Sequence, residues 1–112
     1  VWVDSEDMLD RLTAVAGSGP GYVFEMLRAY IEAAENLGFG AQDARTLVLA
    51  TVQGTLEMAR QSDRSLEELR NNVTSKGGTT AAGLNALNGD GDYSDLIRAT
   101  LEAAYQRAVE LR

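Results

Sequence analysis

Between Leu47 and Met58 only Glu57 carries a charge, and no proline interrupts this run of helix-forming residues. A helix that is apolar around most of its circumference has to be covered on several sides. A chain of 112 residues makes one domain, with little material of its own to provide that cover. The stretch therefore predicts either contact with a second subunit or a central helix wrapped by neighbours from the same chain, and the scarcity of material favours the second subunit. No alternating run bounded by hairpin turns is present anywhere, so the expected fold class is all-α, with about six helices.

Punctuation places those helices. Asp4 or Ser5 can cap a first helix running to about Ala16, with acids in its first turn as the helix dipole prefers. Gly17-Ser18-Gly19-Pro20 breaks it, and Pro20, tolerated at a helix start because its missing N–H needs no partner there, opens a second helix that stops near Gly38. Val23, Met26, Leu27, Tyr30, Ile31, Ala34 and Leu37 form its expected core face. After Gly38-Phe39-Gly40 a third helix is predicted over 42–61. Ser65-Leu66-Glu67-Glu68 has the spacing of a capping box and starts a short fourth helix expiring near Val73. A fifth is expected over 79–87. Asn88-Gly89-Asp90-Gly91 reads as a loop before a last helix over 93–111, with Leu96, Ile97, Leu101, Ala104, Tyr105, Ala108 and Leu111 inward.

Composition removes much chemistry. The chain has no cysteine and no histidine, which excludes thiolate nucleophiles, disulfides, the usual general base and the commonest metal ligands, so no metal site is expected. A net charge of −7 argues against nucleic-acid binding, which needs a basic face. There is no run of about 18 apolar residues to cross a membrane and no visible secretory signal, and a start at Val1 suggests a fragment of a longer protein.

Val73-Thr74-Ser75-Lys76-Gly77-Gly78-Thr79-Thr80 is where the amphipathic pattern lapses, and it contains the only lysine. Gly-Gly allows a tight turn and close approach of backbone to a ligand. The first amides of the following helix lack intrahelical acceptors and carry the positive end of its dipole. A carboxylate could be held there by the amides near Gly78, Thr79 and Thr80, with the hydroxyls of Ser75, Thr79 or Thr80 adding bonds. The plain alternative is an inter-helix turn with Thr79 as N-cap. Gly17-Ser18-Gly19-Pro20-Gly21 lacks the lysine and flanking strand of a phosphate loop and reads as a tight junction where two helices, or a helix and another domain, approach closely. Asp63, Glu67 and Glu68 read as a solvated face, and Tyr22, Phe24, Tyr30 and Tyr105 as core or interface.

Taken together, the segments Leu12–Tyr22 and Leu69–Thr80, with the continuation through Gly83-Leu84 to Leu87, resemble the C-terminal domain of pyrroline-5-carboxylate reductases over essentially the whole of 1–112. The resemblance implies an interleaved helical homodimer, or a higher oligomer, like the C-terminal domain of 6-phosphogluconate-dehydrogenase-type reductases. It implies a cytoplasmic enzyme of proline biosynthesis that reduces 1-pyrroline-5-carboxylate to proline with NADPH or NADH. The cofactor would be bound mainly by an N-terminal Rossmann domain that these residues do not contain, leaving the fragment alone inactive. It further implies that Asn72, Ser75, Gly77, Gly78, Thr79 and Thr80 hold the substrate, with Thr80 hydrogen-bonding the ring nitrogen as the catalytic donor. Thr13, Ser18 and Gly19 would face the nicotinamide. Two departures stand out: Lys76 replaces the family's usual proline, and Ala16 and Gly21 depart from its Ser-Gly-Ser-Gly-Pro-Ala-Tyr pattern. The alternatives are a non-catalytic dimerisation module and a related reductase for another cyclic imine or keto acid.

Overall fold

A computed structural model describes residues 3–112, and among them every regular element is helical. The order is α1 (Glu6–Leu12), a π-helical segment (Thr13–Gly17), α2 (Gly19–Asn36), α3 (Ala41–Gln61), α4 (Leu66–Asn72), α5 (Thr79–Asn88) and α6 (Asp92–Glu110). Six α-helices match the sequence reading of all-α architecture.

The expected caps form. Ser5 Oγ accepts from the Met8 amide at 3.1 Å, with Glu6 and Asp7 in the first turn of α1. Ser65 Oγ accepts from the Glu68 amide at 3.1 Å, while the Ser65 hydroxyl donates to the Glu68 carboxylate at 3.2 Å. Gly38 takes a positive φ of 109° after α2, a region that a residue with a side chain enters only under strain. The first helix departs from expectation. Instead of running as α-helix to about Ala16, it widens at Thr13 into a π turn, where the Ser18 amide donates to the Thr13 carbonyl at 2.8 Å. A fourth-neighbour bond is thereby replaced by a fifth-neighbour one.

The chain divides into two compact units. The first comprises residues up to Phe24 together with Leu84–Arg112; the second is Glu25–Gly83. In the first, α1, the π segment and α6 pack on one another and bury Ala14. Along α6, Ile97, Leu101, Ala104, Tyr105 and Ala108 are half-buried as predicted, whereas Leu96 and Leu111 stay exposed. In the second, Ala44 and Val48 of α3 are the buried apolar side chains. The expected core face of α2 is covered only along Leu27, Ile31 and Ala34; Val23, Met26, Tyr30 and Leu37 lie open.

The same holds for α3. At 100° per residue, Leu47 and Met58 lie on one flank of the buried line through Ala44 and Val48, and Leu49 and Leu56 on the other, so the apolar arc covers roughly 200° of the helix. Leu47, Leu56 and Met58 remain exposed, at 47%, 55% and 57%. Within Glu25–Gly83, the cover on α3 reaches Ala44 and Val48 and leaves those flanks open.

Candidate functional site

The junction between α4 and α5 is built from short-range bonds. As α4 ends, the Val73 amide donates to the Arg70 carbonyl at 3.2 Å and the Thr74 amide to that of Asn71 at 3.1 Å. The Thr74 hydroxyl also donates to the Arg70 carbonyl at 2.6 Å, closing the end of α4. Gly77 then turns the chain with φ of 74°, and the Gly78 amide returns to the Ser75 carbonyl at 3.1 Å. A Cβ at Gly78 would run into Ser75 Oγ, so glycine is what lets the serine hydroxyl lie against the backbone there.

This geometry sorts the residues singled out by sequence. Among the described residues, no oxygen accepts from the amides of Thr79, Thr80 or Ala81, the first three of α5. Thr79 and Thr80 are exposed. The Gly78 amide is already engaged by Ser75, so the donors left open lie one residue further along than Gly78. Asn72 is the exposed last residue of α4, and Ser75, Gly77 and Gly78 form the turn between it and the open amides. Lys76 is exposed beside them. Three donors at a helix N-terminus make a seat for an anion of carboxylate size.

Thr13, Ser18 and Gly19 belong to the first unit, with the second unit holding the turn. The Thr13 hydroxyl donates to the Leu9 carbonyl at 3.0 Å, and the Thr13 carbonyl receives the Ser18 amide. Gly19 starts α2 in open space. The structure thus sets these three around the π turn, which no sequence signal marks.

Sequence reasoning also missed the polar cluster beside that turn. Asp7 accepts from the Tyr105 hydroxyl, from Arg11 Nε at 2.8 Å and from Arg112 at 3.1 Å, while Arg112 Nε donates to Asp10 at 2.6 Å. The Arg11 guanidinium lies 4.8 Å from the centre of the Tyr105 ring. The Tyr105 hydroxyl, then Arg11, hold the Asp7 carboxyl below its ordinary range, and the bond to Asp7 pushes the Tyr105 phenol up. Asp7 and Arg11 have the spacing of a helical ion pair, but nothing in the sequence connects them to Tyr105.

A groove of about 310 Å³ between α3 and α4 is lined by Thr55, Met58, Ala59, Leu66, Leu69, Arg70 and Val73. It is almost wholly apolar and lacks converging donors, so it is a packing surface and not the anion seat. Among the described residues, no group of acids could hold a metal ion, and no helix is long and apolar enough to cross a membrane.

Open apolar faces on several helices of an all-α chain define a class: a helical association domain. Comparison with known proteins names its family. The family model described as pyrroline-5-carboxylate reductase dimerisation matches residues 6–111, and the chain belongs to that family. It is 42% identical over 106 residues to the pyrroline-5-carboxylate reductase of Staphylococcus haemolyticus, covering 95% of this chain and 39% of the relative. To that of Pseudomonas aeruginosa it is 40% identical over 111 residues, covering 99% and 40%. The solved pyrroline-5-carboxylate reductase of Coxiella burnetii superposes with a TM-score of 0.92 at 40% identity, over 99% of this chain and 41% of that one. The Plasmodium falciparum pyrroline carboxylate reductase, solved with NADP bound, gives 0.88 at 32% identity, over 94% and 40%. The chain therefore spans about two fifths of the length of these relatives.

Proposed function

We propose that this chain is the part of a pyrroline-5-carboxylate reductase that joins two subunits and grips the substrate, in an enzyme reducing 1-pyrroline-5-carboxylate to proline. The observation that carries the site is the set of unpaired amides at Thr79, Thr80 and Ala81 behind the Gly77 turn. They suit the ring carboxylate, and the Ser75 hydroxyl adds a donor at the turn. Thr80 Oγ1 stands at the same helix end, where it would hydrogen-bond the ring nitrogen and hold a proton at it as the C=N bond is reduced. One well-placed donor suffices for this, which fits a chain without histidine or cysteine. Asn72 borders the seat from the end of α4.

The dinucleotide does not fit these residues as a principal site. Among those described there is no strand, hence no strand-turn-helix to carry a pyrophosphate. The NADP bound in the Plasmodium relative supports a nicotinamide cofactor for the whole enzyme, NADPH or NADH, which supplies the hydride. In this reading Thr13, Ser18 and Gly19 contribute at most an edge near it, and the cofactor domain lies in the part of such proteins that this chain does not span. The family and the open arc of α3 support a homodimer, and the likeness to pyrroline-5-carboxylate reductases supports a cytoplasmic enzyme.

The Gly78 bond to Ser75 favours a second reading, a closed turn in a domain used only for assembly. A proline soak separates the two. Carboxylate density within hydrogen-bonding distance of the Thr79, Thr80 and Ala81 amides is the expected result; an ordered turn without it at saturating proline would leave the assembly reading standing.

A further inference from the structure

The principal long-range packing in the chain gathers around one irregularity. The α1 helix, the π segment and α6 contact one another, Ala14 of the π segment is 3% exposed, and the polar cluster of Asp7, Asp10, Arg11, Tyr105 and Arg112 ties α1 to α6 and to Arg112, two residues past its end. A π turn is a less favourable arrangement than the α-helix it interrupts, and it persists only where its surroundings hold it. The competing arrangement is plain: the Gly17 amide would take the Thr13 carbonyl now held by Ser18, the π turn would become α-helix, and the chain after it would rotate by one residue.

We infer that Tyr105, acting through Asp7, is a positioning residue that clamps α6 across the π turn and so keeps Thr13, Ser18 and Gly19 in their observed register. The clamp rests on geometry alone; its value to the reaction rests on the reading that places those three residues at the edge of the nicotinamide site. Its pH window follows from the groups facing it. Asp7 is met by Arg11 on its own helix, and by Tyr105 and Arg112 from α6 and the residues after it; Glu6 and Asp10 flank Arg112, and the π segment contributes no charge. A carboxyl held below its ordinary range keeps its bonds above about pH 4 and loses them as pH falls through its lowered value. A phenol held above its ordinary range keeps its proton up to about pH 10 and loses the bond beyond. The clamp is thus closed throughout the neutral range.

Amide hydrogen exchange on the complete enzyme tests this, comparing the unaltered protein with Tyr105→Phe and Asp7→Asn. Either substitution should lower protection of the Ser18 amide by about tenfold or more while the amides of α3 keep theirs. In the unaltered chain, Ser18 protection, corrected for intrinsic exchange, should fall as pH drops below 4, and Asp7→Asn should abolish that step. Unchanged Ser18 protection, or an equal fall at every amide, overturns the clamp. Titration with NADP reports the other reading separately: a clamp that responds as stated, with no NADP-induced shift at Thr13, Ser18 or Gly19 in the complete enzyme, removes the nicotinamide role and leaves the positioning intact.

Discussion

Leu56→Ala separates a helix surface that is merely exposed from one that is waiting to be covered. Leu56 is 55% exposed in the single chain, on the flank of α3 opposite Leu47 and Met58. Burying a whole leucine side chain is worth roughly 1.5–3 kcal/mol, so covering the remaining half is worth about 1 kcal/mol per subunit. A two-fold interface counts the residue twice, giving about 2 kcal/mol, or a dissociation constant raised roughly 30-fold. The contacts Leu56 makes within its own chain are lost equally from monomer and dimer and drop out of that constant. Sedimentation velocity over a concentration series reads it, with Glu57→Ala, outside the apolar arc, as the control that stays put. Without a partner, alanine at a half-exposed helical position would leave association untouched and helix content no lower. A dissociation constant within threefold of the unaltered protein, or an unaltered chain that is monomeric throughout, would refute the argument.

Three further substitutions probe other parts of the molecule. In the complete reductase, Thr80→Ala should lower kcat by roughly 10- to 1000-fold, as loss of one transition-state donor does; unchanged turnover takes Thr80 out of the mechanism. Gly77→Ala forces a side chain into the φ of 74° and should lower stability in urea unfolding by about 1–2 kcal/mol, whereas an unchanged midpoint would mean the turn re-forms differently. Tyr22 buries a hydroxyl that finds no partner among the described residues, so Tyr22→Phe should cost nothing or gain about 1 kcal/mol in the same assay; a loss of that size would assign the hydroxyl a partner in the assembly.

Helix count and, except at the end of α1, helix boundaries could be read from residue order because they depend on local chemistry. Ser5 and Ser65 cap where expected, and the fifth helix starts at Thr79 after the glycine pair. The faces of those helices were also readable, but not what lies against them. Periodicity marks Val23, Met26 and Tyr30 as apolar and says nothing about whether anything in the same chain covers them, and here they stay exposed. The turn at Gly77 was evident from its glycines; that Gly78 spends its amide on Ser75 was not, since this depends on one carbonyl direction. The π turn and the reach of Tyr105 to Asp7 were hidden because both depend on packing between segments some 90 residues apart in sequence.

Asn88 closes α5 and also serves the next helix. Its Oδ1 accepts from the Ser94 amide at 3.0 Å and its Nδ2 donates to Ser94 Oγ at 2.9 Å, supplying a terminal bond that Gly91, which has no side chain, cannot give. The last residue of one helix thus finishes the first turn of another. Unravelling at the tail of α5 must loosen the head of α6 in the same event, so the two ends should melt as a single cooperative step, and Asn88→Ala would uncouple their fraying.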